Sequence, residues 1–163
     1  MIRHAGLLAR RDASGWRGVL IEGASGSGKS DLALRAVQAG WSLVADDRTL
    51  VWRSGEALFG RAPDTLRGLM EIRGLGVVAT PFRPFVEICL LARCMQGQDI
   101  QRSPDPSDET VSGVVLPTIA IAALEASAIA KLGQALTCIG LPPQRAYLAH
   151  RASPSPPGAG GVP

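Results

Sequence analysis

Gly23-Ala24-Ser25-Gly26-Ser27-Gly28-Lys29-Ser30 matches in full the phosphate-cradling pattern G-x-x-x-x-G-K-[ST]. The apolar run Val19-Leu20-Ile21 precedes it, and a helical pattern with Leu32, Leu34, Ala36 and Val37 as apolar members follows. Strand, loop and helix in that order are the context that gives the pattern physical meaning. Glycines at 23, 26 and 28 let the backbone turn its N–H groups inward on a phosphate chain, and the new helix adds its positive end there. Lys29 is placed to reach the β- and γ-phosphates, and the Ser30 hydroxyl to ligate Mg²⁺. A glycine-rich turn that only capped a helix would leave the Lys-Ser pair without a purpose. The expectation is a nucleoside triphosphate, with Mg²⁺, held by residues 23–30.

The rest of the composition narrows the class. A chain of 163 residues with 46% apolar and 19% charged residues suits one globular domain with a buried core. No apolar run reaches membrane-spanning length and no secretory h-region follows the start, so the expected location is cytoplasmic and no membrane partner is expected. A net charge of +3 without a basic block suits an anionic small molecule and gives no warrant for nucleic acid. Cys89, Cys94 and Cys138 lack metal spacing and read as reduced, buried thiols.

Outward from the loop, Ile2–Leu8 reads as a first strand carrying His4, joined to residues 19–22 as a hairpin through the polar turn at residues 10–15. Gly40 ends the helix, and residues 41–45 form a short strand leading into Asp46-Asp47. Residues 49–52 and 57–59 form a hairpin around Ser54-Gly55, residues 63–68 a connection, and residues 70–78 a glycine-interrupted strand. Residues 85–92 read as a buried strand, and residues 96–112 as an exposed loop. Short strands flank Pro117, and residues 124–136 form a helix that serves either the core or an interface between copies. A catalytic domain over residues 1–150 is followed by a Pro/Gly-rich, disordered tail over residues 151–163.

Two acidic constellations bear on chemistry. Asp46-Asp47 at a strand's C-terminal end lies where an open α/β sheet places its ligands, able to hold Mg²⁺ or to accept a proton from an attacking hydroxyl. Adjacent residues point in different directions, so the pair can divide these tasks. Only one helix separates Ser30 from Asp46, so the two should lie close together. In Glu71-Ile72-Arg73-Gly74-Leu75-Gly76, an extended backbone would put Glu71 and Arg73 on one face, either as a metal and phosphate site or as a surface ion pair.

The phosphate loop followed by Asp31, then Leu43-Val44-Ala45-Asp46-Asp47-Arg48, then Glu71–Val77 together resemble the HPr kinase/phosphorylase family in order, spacing and wording. The resemblance covers roughly residues 2–138 and is similar to the short, catalytic-domain form found in alphaproteobacteria. It implies a P-loop-containing mixed α/β sheet with flanking helices. The implied activity is Mg-ATP-dependent phosphorylation of a serine of HPr, the phosphocarrier of the bacterial sugar phosphotransferase system. His4, Lys29, Asp46, Asp47 and Arg102 are then implied as catalytic, with Asp47 favoured as the base, and Ser30 and Glu71 as Mg²⁺ ligands. Relatives assemble as hexamers, which implies a homo-oligomer. Two departures, Ala79-Thr80-Pro81-Phe82 and the arginine-free Leu116-Pro117-Thr118-Ile119, support the kinase direction better than phosphorolysis. A nucleotide-sensing module without transfer and a P-loop kinase of a small molecule remain the alternative readings.

Overall fold

Strands β2 (Gly6–Asp12) and β3 (Gly15–Glu22) form the hairpin from which the phosphate loop springs. The structure is a computed structural model and describes residues 1–138. Both strands are longer than the sequence pattern suggests, because Arg10 pairs opposite Arg17 and only Ala13-Ser14 turns the chain. The Asp12 carboxylate closes that turn by accepting from the Ser14 N–H at 2.8 Å. The first strand is broken at His4-Ala5: β1 (Ile2–Arg3) pairs with β5 (Thr49–Ser54), whereas β2 pairs with β3 and β4 (Ser42–Ala45).

The remaining elements are α1 (Lys29–Gln38), β4 (Ser42–Ala45), β5 (Thr49–Ser54), β6 (Ala57–Arg61), β7 (Leu69–Ile72), β8 (Gly76–Ala79), β9 (Val86–Cys94), β10 (Ser107–Val111), β11 (Val114–Ile121) and α2 (Ala128–Cys138). A nine-stranded mixed sheet runs β1-β5-β6-β9-β3-β2-β4, with β10 and β11 attached through β9. Strand β9 is the junction. One edge runs parallel to β3; the other meets β6 at Val86–Glu87 and β11 at Leu91–Cys94.

Alternation of side chains along the strands builds two cores. Leu8, Val19, Ile21, Leu90 and Ala92 face α1 and α2, where Leu32, Ala36, Leu132 and Leu136 complete one cluster. Leu7, Leu20, Ile88 and Leu91 face the other way and are covered by Val51, Leu58, Val111 and Leu116 where the sheet curls. Burial on both faces is why β2, β3 and β9 carry continuous apolar runs. Helix α2 commits its buried face to the core, the core alternative of the sequence reading.

Several boundaries differ from the sequence reading. The 96–112 segment is not a loop throughout: its end is strand β10, joined to β11 by the two-residue turn Ser112-Gly113, both at positive φ (49° and 79°). Strand β11 runs through Pro117, which lies just before Thr118, where pairing with β9 begins. Residues 70–78 fold as the separate hairpin β7–β8, turning at Arg73-Gly74-Leu75. Helix α2 starts at Ala128, not at Leu124, which is exposed in the loop before it. The three cysteines are free and half-buried. Burial pushes the Cys89 thiol up to about 11. The tail at 151–163 and the end of the 1–150 domain lie outside the described residues.

Candidate active site

Parallel strands β3, β9 and β11 end side by side, with Glu22 opposite Arg93 and Cys94 opposite Ile121. The chain leaving β3 becomes the phosphate loop, so the loop lies on the carboxyl edge of the sheet, where ligands of such sheets bind. Gly23 has no room for a side chain: a Cβ there would lie 2.7 Å from Ser27 Oγ and 2.8 Å from Cys94 Cβ. Gly28 sits at φ +91° immediately before α1, a conformation that L side chains avoid. Neither position takes a side chain without displacing its neighbours.

Lys29 is buried, at 8% exposure, and its Nζ donates to the Gly23 and Ala24 carbonyls at 2.9 Å each. An ammonium held across the loop's mouth by two carbonyls can exchange them for phosphate oxygens. The Ser30 hydroxyl at the start of α1 donates to Asp46 Oδ1 at 3.1 Å, while Asp46 Oδ2 accepts the Glu71 N–H at 3.0 Å. Strand β4 carrying Asp46 pairs with β2, one strand removed from the phosphate-loop strand, yet α1 closes the remaining gap. Burial pushes the Asp46 carboxyl above its ordinary value, and the negative charges of Asp47 and Glu71 add to this, against the hydrogen bonds from Glu71 and Ser30.

The next residue turns away. The Arg48 N–H donates to the Asp46 carbonyl at 2.8 Å, and Asp47 takes a left-handed backbone at φ 66°. Its carboxylate reaches His4 Nε2 at 3.2 Å, with both side chains more than half exposed. The two aspartates thus diverge, Asp46 towards Ser30 and Glu71, Asp47 towards His4 and solvent. His4 also lines an open cavity of about 580 Å³ with Arg3, Glu22, Gly23, Ala24 and Arg93, so the cavity joins the loop's mouth to the His4–Asp47 pair.

Not every expected residue comes to this place. Arg73 lies in the β7–β8 turn and does not share a strand face with Glu71, because the strand ends at Ile72. Arg102 is exposed in the irregular stretch before β10, with no hydrogen bond or ion pair to the other site residues. Among the described residues, no group of three or more His, Cys, Asp and Glu gathers as a metal cage. Mg²⁺ needs no such cage, since it takes one or two protein oxygens together with water and phosphate. Ser30 beside Asp46, with Glu71 adjoining, fits that requirement, and the loop with Lys29 fits a triphosphate.

A four-membered ion network was not foreseen. Glu22, the last residue before the loop, is 8% exposed; it pairs with Arg3 and lies 3.2 Å from Arg93. Glu109 on β10 pairs with Arg93 and lies 3.6 Å from Arg3. A charged residue ending an apolar strand directly before the phosphate loop was the available signal. Its arginine partners come from β1 and β9, and Glu109 joins them from β10, an assembly that only the fold makes.

The chain is similar to several known proteins. Residues 12–82 match the family model described as HPr Serine kinase C-terminal domain. An HPr kinase/phosphorylase from Limosilactobacillus reuteri is 39% identical over 116 residues, which is 64% of this chain and 36% of that protein. One from Halalkalibacterium halodurans is 47% identical over 81 residues, 45% of this chain and 26% of that protein. The chain thus spans about a third or less of the curated relatives it matches. The solved structure of the Hpr(Ser) kinase/phosphatase from Coxiella burnetii superposes with a TM-score of 0.74 at 21% identity, covering 95% of this chain and 99% of that one, and bears out the mixed α/β fold. The phosphate loop, Asp46-Asp47 and Glu71–Gly76 all lie inside the matched span, over which the chain is similar to the C-terminal domain of HPr kinase/phosphorylases.

Proposed function

We propose that this chain is a Mg-ATP-dependent protein serine kinase acting in the cytoplasm on HPr, the phosphocarrier of the bacterial sugar phosphotransferase system. The observation that carries the reading is the divergence of Asp46 and Asp47 around one phosphate loop. Asp46 faces the Ser30 hydroxyl and the Glu71 backbone, the side from which a metal would be held. Ser30, Asp46 and Glu71 would hold Mg²⁺ there, and its chemistry would be to neutralise charge on the phosphates. Loop N–H groups and Lys29 orient the phosphates. Asp47, exposed beside the cavity, accepts the proton of an acceptor hydroxyl arriving in line, and His4 holds that carboxylate in place. The arginine-free Leu116–Ile119 lies within β11, which supports the kinase direction over phosphorolysis.

The test is incubation with labelled ATP, Mg²⁺ and HPr, comparing wild-type HPr with its serine-to-alanine variant. Label confined to the wild-type carrier is expected. Tight ATP binding without label on either carrier would turn the reading into a nucleotide-sensing module. Label on a small molecule alone would make it a small-molecule kinase.

A further inference from the structure

The loop between β11 and α2 holds an exposed leucine against the phosphate loop. Leu124 is 71% exposed. Its Cδ2 and Cγ nevertheless lie 2.9 and 3.1 Å from where a Cβ on Gly28 would stand, so one side of it covers the loop's last glycine. The chain around it is firmly held. Arg35 of α1 donates to the Ala123 carbonyl and, at 3.3 Å, to the Glu125 carbonyl, those of the residues before and after Leu124. Asp31, the residue after Ser30, in turn accepts from Arg35 Nε at 2.8 Å. On the far side, a Cβ on Gly97 would lie 3.1 Å from the Glu125 carboxylate and 3.6 Å from Ala122 Cβ.

A lone exposed leucine is ordinary on a protein surface. One fixed by both flanking carbonyls, beside a phosphate site, is a preformed apolar platform. The polarity of the loop says which end of a nucleotide it faces. The cavity lined by His4, whose partner is Asp47, opens at Gly23-Ala24, so a transferred phosphate would lie at that end. The other end of a bound phosphate chain would then leave past Gly28 and the first turn of α1, where Leu124 stands.

Resting on the nucleotide-binding reading above, we infer that Leu124 forms the nucleoside subsite, its exposed face packing against the base or ribose of the bound nucleotide. With both neighbouring carbonyls engaged by Arg35, the contact is apolar and leaves the phosphates to the loop.

The test measures binding of Mg-ATP and of Mg-tripolyphosphate, which lacks the nucleoside, by calorimetry on the full chain. Leu124→Ala should raise the ATP Kd about fivefold while leaving the tripolyphosphate Kd within about twofold of wild type. Leu124→Gln, which keeps length over Gly28 but loses the apolar face, should behave like the alanine variant, and Leu124→Met should bind as wild type does. Equal weakening of both ligands, or unchanged ATP binding in the alanine and glutamine variants, overturns the inference while sparing the phosphate loop. Wild-type protein that binds neither probe overturns the nucleotide reading itself.

Discussion

Asp47 combines an unusual backbone with the proposed chemistry, and substitution separates the two. At φ 66° the residue lies in the left-handed region, which costs an ordinary L residue on the order of 1–2 kcal/mol and Asp or Asn less. Asp47→Ala is therefore expected to destabilise the fold by about 1 kcal/mol, lowering Tm by roughly 3 °C for a domain of this size. Asp47→Asn tolerates the same conformation and should match wild type within about 0.5 kcal/mol. Asp47→Gly removes the backbone cost but gains entropy in the unfolded chain, so it too should stay within about 0.5 kcal/mol. The His4 contact changes this little, since both side chains are more than half exposed and such pairs contribute under about 1 kcal/mol. Activity follows a different order: all three variants lose the carboxylate, and transfer to the acceptor should fall by at least about 100-fold in each. ATP binding should be unchanged. Thermal melts, nucleotide calorimetry and single-turnover phosphate transfer on wild type and the three variants read these separately. Near-wild-type turnover in the Asp47→Asn variant would refute the base assignment. Lost ATP binding would make Asp47 a metal ligand, and an alanine variant as stable as the asparagine one would refute the backbone argument.

Lys29→Ala should abolish transfer and weaken nucleotide binding by at least about tenfold with an unchanged circular dichroism spectrum, because its two carbonyl contacts lie within the loop. Asp46→Asn can keep both contacts, its amide oxygen accepting from Glu71 N–H and its amide donating to Ser30, while transfer falls by about 100-fold for want of the charge. Because the folded protein holds the Asp46 proton more tightly than the unfolded chain, that stability is present below the ordinary value of 3.8 and is lost as pH rises through the raised one. The variant's Tm should therefore gain on wild type as pH rises above about 4, and a constant difference would refute the shift. Glu22→Gln should cost about 1–3 kcal/mol in urea unfolding, since it leaves Arg3 and Arg93 sharing only Glu109; a neutral result would show the network to be dispensable.

What was legible in the chain was what neighbouring residues encode. Glycine spacing, an apolar run and a helical period settle the phosphate loop, β3 and α1, because each depends on backbone preferences within a few residues. The Ser54-Gly55 hairpin was readable for the same reason. The Ser112-Gly113 hairpin, with an equally good turn, was missed because polar and proline-bearing residues before it masked β10. Arg73 was misplaced because extension was assumed through a segment whose glycines turn it back.

By itself, then, the sequence determined that a triphosphate-type loop begins a helix on the edge of an α/β sheet, with a carboxylate pair one helix further on. Only the tertiary structure decided that Asp46 and Asp47 diverge, and that His4, from the break between β1 and β2, meets Asp47. It also decided that Glu22 is clamped by arginines from two other strands, while Arg102 is exposed in the stretch before β10. The reason is physical: a turn or helix is stabilised by contacts within the segment itself, whereas side chains far apart in the chain meet only through strand register. Here that register is set by β9, which pairs with β3 on one edge and bends from β6 to β11 on the other.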